Sequence, residues 1–192
     1  RPCLVSALLT AAGESIRMGK PKSLLPWQGV PLVRYQVDSL LKGGVDEVVV
    51  VLGHRHEGII GHLQDPSVMW VLNSCYKAGR TTSIKAGLMA LNPKTDTILM
   101  LGVDQPRPPD IVNAVLKAHD VSGALITSPR HKGLGGHPVV FAATLASELE
   151  RISEECQGIR EVYEAHRDEV NSVEMDEPIL RLDLNTPEDY KS

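Results

Sequence analysis

Residues 9–22 place three small side chains, Ala11, Ala12 and Gly13, directly after an apolar run, followed by Arg17, Lys20 and Lys22. Small residues let backbone N–H groups approach an anion closely, and the three bases add positive charge, so the run suits a phosphate cradle. It has neither the GKS/GKT ending of a P-loop nor GxGxxG spacing. The same composition also fits a solvated, glycine-containing connection. Asp104 stands just past another apolar run, in Gly102-Val-Asp-Gln-Pro106. A carboxylate there can hold Mg²⁺ on a phosphate, or can serve a turn or cap before Pro108. Gly133, Gly135 and Gly136 precede His137-Pro138, a loop shaped for a close approach. Asp183 and Asn185 alternate as on a strand and share one side. Thr186-Pro187-Glu188-Asp189 then reads as a helix start, with Thr186 as N-cap and Pro187 at the first helical position. A helix cap alone would account for that last motif.

The elements that must position these residues alternate along the chain. Apolar runs at 4–9, 47–52, 68–72, 97–101, 124–127 and 138–141 read as strands, and those at 170–174 and 179–182 as late strands. The run at 47–52 is continuous rather than alternating, as in a parallel strand covered on both faces. Helical spacing appears at 32–41, 58–63, 81–91, 110–119, 144–152 and 158–165. This alternation predicts an α/β three-layer sandwich with a mostly parallel central sheet, Rossmann-like, in one domain over 1–192. Ligands of such sheets bind outside the carboxyl ends of the strands, which is where the four segments fall.

Composition narrows the function classes. With 192 residues, 42 % hydrophobic and 23 % charged, the chain reads as a globular domain. A net charge of −4 argues against a nucleic-acid partner. No apolar run reaches the ~20 residues that span a bilayer, so no membrane association is expected. Cys3, Cys75 and Cys156 are far apart and form no CxxC pair, which argues against a zinc site or disulfide framework. With no secretion-signal pattern at Arg1-Pro2-Cys3-Leu4, a cytoplasmic location is expected. His54 and His56 read as part of a solvated loop rather than a metal set, and Cys75 lacks a placed His partner, so both read as incidental.

Taken in order, these motifs resemble the MobA-like nucleotidyltransferase family, and within it the molybdenum cofactor cytidylyltransferase branch. The likeness runs from Leu8 to Tyr190. It is carried by Thr10-to-Gly19 with Lys22 and Leu24-Leu-Pro-Trp27, and by Asn73, Tyr76, Gly79 and 82–86. Asp104-Gln-Pro106, Gly136-His-Pro138 and 183–189 complete it. The resemblance implies the nucleotide-diphospho-sugar transferase type of fold and transfer of CMP from CTP to the phosphate of molybdopterin or molybdenum cofactor, with release of pyrophosphate. It assigns the nucleotide to Leu9, Ala11, Ala12, Gly13, Gly79 and Ser83, and the triphosphate to Arg17 and Lys22. Asp104 is the Mg²⁺ ligand it implies, joined by Asn185 or Asp183, and Gly135, Gly136, His137 and Pro138 line the acceptor side. Ala11-Ala12 favours CTP over GTP, since guanylylating relatives tend to carry Gly-Gly there. The resemblance also implies a molybdenum hydroxylase as client. Where that branch has a second Asp, this chain has Asn185, an oxygen ligand without charge. That departure leaves two other readings open: a nucleotidyltransferase for a sugar phosphate, and a molybdenum cofactor carrier with reduced catalysis.

Overall fold

The computed structural model describes residues 2–13, 21–53, 56–186 and 189–190. Among the described residues ten strands and six α-helices are delimited. β1 (Val5–Ala11) leads to a hairpin of β2 (Pro26–Trp27) and β3 (Val30–Pro31), then to α1 (Leu32–Lys42), β4 (Glu47–Leu52), α2 (Glu57–Ile60) and β5 (Val68–Leu72). Next come α3 (Arg80–Ala90), β6 (Thr97–Gly102), α4 (Pro109–Ser122), β7 (Ile126–His131), β8 (Leu134–Gly135) and β9 (Val139–Ala142). α5 (Ala146–Leu149), α6 (Ile159–Ala165) and β10 (Val170–Glu174) complete the set.

The main sheet runs β10-β7-β9-β6-β1-β4-β5, with β8 paired to β7. β6, β1, β4 and β5 are mutually parallel, and β10 is parallel to β7. β9 lies antiparallel between β6 and β7, so the sheet is mostly parallel but changes direction beside the Gly135–Pro138 loop. Side-chain alternation along β1 makes the three layers. Ala7, Leu9 and Ala11 pack with Leu32, Val33, Val37 and Leu40 of α1 and with Val112 and Val115 of α4. Leu8 packs on the other face with Ile84 and Leu88 of α3, and Val162 of α6 joins the same cluster. Side chains buried on both faces explain the unbroken apolar runs.

Three elements differ from the sequence reading. Residues 179–182 are not a strand: Pro178–Arg181 is a 3-10 turn. Pro178 has no N–H to give a ladder, and the carbonyls of Leu180 and Leu182 are taken by the Arg107 guanidinium. The helix expected at 144–152 is a 3-10 turn at Ala143–Leu145 followed by the single α-turn of α5. The β2–β3 hairpin had no counterpart in the apolar pattern. Its two-residue turn, Gln28 at φ 50° and Gly29 at φ 86°, has the left-handed backbone that suits hairpin twist. Trp27 of that hairpin meets Tyr35 and Tyr190 edge-on, at centroid distances of 6.4 and 6.1 Å.

Candidate active site

The carboxyl ends of β1 and β6 open into a pocket of about 190 Å³. Of the residues expected to hold nucleotide, Ala11, Ala12, Gly13, Gly79 and Ser83 line it, together with Lys22 and Asp104. Leu9 does not: its side chain is fully buried beneath α1 in the core. Arg17 lies outside the described residues. Asn73, at the end of β5, donates from Nδ2 to Thr82 Oγ1 and Ser83 Oγ, each at 2.9 Å, and accepts from the Cys75 N–H at 3.0 Å. One buried amide thus ties the sheet edge to the first turn of α3 and sets the Ser83 hydroxyl at the pocket wall.

Lys22, Asp104 and Asn185 converge although they are far apart in sequence. Lys22 Nζ donates to Asn185 Oδ1 at 3.3 Å and stands 3.7 Å from Asp104 Oδ2. Asp183 is exposed, and its Oδ1 accepts from Gln105 Nε2 at 3.1 Å. Lys22 thus links Asn185 to Asp104, whereas Asp183 is held by Gln105. Residues 183–185 are not a strand, so the two do not alternate along one. Leu184 is fully buried between them, its N–H donating to the Asp104 carbonyl at 2.7 Å. The cap reading also holds. Asp189 Oδ2 accepts from the Thr186 N–H at 3.0 Å and Thr186 Oγ1 accepts from the Asp189 N–H at 3.2 Å, the reciprocal pair of a capping box. The cap fixes the backbone, and the Asn185 side chain is left to face Lys22.

Sequence reasoning missed the residues that hold these segments together. Arg107 is fully buried. Its guanidinium donates to the carbonyls of His137 (2.8 Å), Pro106 (2.9 Å), Leu182 (3.1 Å) and Leu180 (2.8 Å). Burial lowers its pKa to about 10, opposed by the nearby charges of Asp183 and Asp104, so it stays charged at neutral pH. Gln36 of α1 donates to the carbonyls of Gly102, Val103 and Gln105 and accepts from the Arg107 N–H. Together they clamp the Asp104 turn, the His137 loop and the 180–185 segment. The only local clue to Arg107 is a cation set between prolines right after Asp104.

The glycine loop packs against this clamp. A Cβ on Gly136 would meet the Leu180 carbonyl oxygen at 2.5 Å, so its close approach is to the protein's own backbone. Gly135, Gly136 and His137 line a second, larger pocket beside the first, while Pro138 is buried and does not line it. His137 is pushed down to about 4, first by burial and then by the Arg107 charge, against the pull of Asp183. Its imidazole is neutral near pH 7. Among the described residues no cluster of three His, Cys, Asp or Glu side chains could hold a metal, and no helix is long and apolar enough to cross a membrane.

Comparison with known proteins decides the family. The MobA-like NTP transferase domain matches residues 7–170. The chain belongs to that family. This is an enzyme of the nucleotidyltransferase type. Over 152 residues it is 35 % identical to nicotine blue oxidoreductase of Paenarthrobacter nicotinovorans, covering 75 % of this chain and 73 % of that one. Over 189 residues it is 26 % identical to the molybdenum cofactor cytidylyltransferase of Escherichia coli K12, covering 97 % and 93 %. Among solved structures, a nucleotidyl transferase from Methanothermobacter superposes with a TM-score of 0.81 at 25 % identity, over 98 % and 94 % of the two chains. A Mycobacterium tuberculosis H37Rv protein crystallised in complex with manganese shares the fold, at TM-score 0.79 and 24 % identity, over 98 % and 96 %.

Proposed function

We propose that this nucleotidyltransferase moves CMP from CTP to the phosphate of molybdopterin or molybdenum cofactor, in the cytoplasm, with Mg²⁺ as its metal. The observation that carries the reading is the convergence of Lys22, Asp104 and Asn185 between the small-residue loop and the acceptor-side loop. An all-oxygen donor pair already facing one cation suits a hard divalent ion. When bound there by Asp104 and Asn185, Mg²⁺ would supply positive charge at the phosphates. The likeness to the cytidylyltransferase over nearly both full lengths supports the nucleotide and acceptor.

In the proposed reaction an acceptor phosphate oxygen attacks the α-phosphorus of CTP. The bond to the bridging oxygen breaks, and pyrophosphate leaves with that electron pair. The attacking phosphate oxygen is already ionised near pH 7 and needs no base. The N–H groups of the 11–13 loop and the Lys22 ammonium, with Arg17, would hold the triphosphate and offset charge as the pyrophosphate leaves. Lys22 must turn from Asp104 toward the phosphates, and its place at Asp104 is then free for the metal. The test is pyrophosphate release from CTP or GTP, with molybdopterin, with a sugar phosphate, or with neither. Release from CTP that requires molybdopterin bears out the reading. Release only with a sugar phosphate, or tight cofactor binding without turnover, contradicts it.

A further inference from the structure

The two ends of the main sheet are built differently. β10, at one end, carries Glu174, with Asp168 and Glu169 just before it and Asp176 and Glu177 just after. Charge along an edge keeps a further strand away. β5, at the other end, is Val68-Met-Trp-Val-Leu72, and no charged side chain stands between Asp65 and Lys77. Among the described residues no strand pairs with its outer side. Met69, Trp70 and Leu72 are 53, 37 and 49 % exposed. They lie on both faces of the strand, since Val68, Trp70 and Leu72 share one face and Met69 and Val71 the other. The backbone groups that point outward follow from the pairing with β4. The Ser67 carbonyl accepts from the Val48 N–H, and the Asn73 N–H donates to the Leu52 carbonyl. Ser67, Met69, Val71 and Asn73 therefore turn their backbone groups toward β4, and Val68, Trp70 and Leu72 turn theirs outward. The Val68 N–H is taken by the Asp65 carbonyl at 3.0 Å, which leaves the Val68 carbonyl and both groups of Trp70 and of Leu72.

That set is complementary to itself. We propose that β5 pairs antiparallel with β5 of a second copy about a two-fold axis at Trp70, so that one sheet continues through both molecules. The two Trp70 residues exchange their N–H and carbonyl groups, and each Leu72 N–H donates to the Val68 carbonyl of the other copy. This register sets Val68 opposite Leu72 and Met69 opposite Val71, apolar against apolar with no like charges facing. It also brings the Asp65 end of each strand to the Lys77 end of the other, a match of opposite charges. The acidic surroundings of β10 disfavour growth from that end, so the pairing consumes the open edge and closes at two. The contact is one five-residue strand per copy, at the small end of specific interfaces, so a dissociation constant on the order of 10 µM is expected. The proposal does not depend on the transfer reading.

Sedimentation of the full chain between about 1 and 100 µM tests it, a range that brackets the expected constant. The unaltered protein should pass reversibly from one copy to two. Trp70→Lys and Trp70→Glu, each confirmed as folded by urea unfolding, should each weaken association at least tenfold, roughly the loss of a central aromatic anchor plus like charges set face to face. Mixed in equal amounts, the two variants should pair at least about threefold tighter than either does alone, because Lys then meets Glu across the axis. Only a register that sets residue 70 opposite itself gives that recovery. A single copy at the highest concentration overturns the proposal without use of any variant, as does a species that keeps growing beyond two. Dimers as tight in the variants as in the unaltered protein, or a mixture no tighter than its components, overturn the pairing at Trp70 and the proposal with it.

Discussion

Four backbone carbonyls from three segments end on the Arg107 guanidinium, so removing it orphans acceptors in the interior. Arg107→Met should destabilise the fold by about 3 kcal/mol or more, since each buried unpaired polar group costs on the order of 1–3 kcal/mol; urea unfolding reads this directly. In the proposed site Asp104 and Asn185 would present one negative charge between them to a metal. Asn185→Asp should therefore lower the Mg²⁺ concentration for half-maximal rate, whereas Asp183→Asn should leave it near the wild-type value, because Asp183 is engaged by Gln105. The opposite pair of results would make Asp183 the partner of Asp104. His137 titrates near 4 in the fold, below its ordinary 6.5. The unfolded chain then binds the extra proton between those values, so stability falls as pH drops through that window and levels off below it. The loss reaches about 3 kcal/mol at most, and His137→Gln should flatten that part of the stability–pH curve.

At the scale of elements, the site depends on how closely its loops can pass one another. Gly136→Ala pushes a methyl into the Leu180 carbonyl, so backbone must move; a loss of about 1–3 kcal/mol is expected, with the acceptor-side loop displaced. A KM effect on the acceptor larger than that on CTP would place the damage there. These elements were legible in the sequence to different degrees. β4 and β6 announce themselves because both faces are buried and the apolar runs are unbroken, and β1 does so although Ser6 interrupts its run. The direction of β9 was not legible, since Val139, Val140 and Phe141 look the same in either orientation. Ile179, Leu180 and Leu182 mimic a strand by hydrophobicity alone, and what makes them a turn is Pro178 together with an arginine some 73 residues earlier.

At the scale of the whole molecule, the parallel sheet assembles one site from pieces remote in the chain. Lys22 and Asn185 meet across 163 residues. The residue types proposed for phosphate and metal could be read off as motifs, because chemistry restricts them to small, basic and oxygen-bearing side chains. The clamp could not be, because a buried Gln36 or Arg107 is recognisable only by carbonyls that the fold brings to it. The charge distribution is likewise a property of the whole fold: a chain of net charge −4 gathers three arginines around one pocket. The account stands most directly on one measurement, the initial rate of pyrophosphate release from CTP with molybdopterin and Mg²⁺, in the unaltered protein and in Asp104→Ala. The predicted result is release that depends on molybdopterin and falls by roughly 10³-fold or more in the variant, the scale for losing a metal or transition-state charge partner, with unfolding by urea unchanged within about 1 kcal/mol. Equal rates in the two proteins would contradict it.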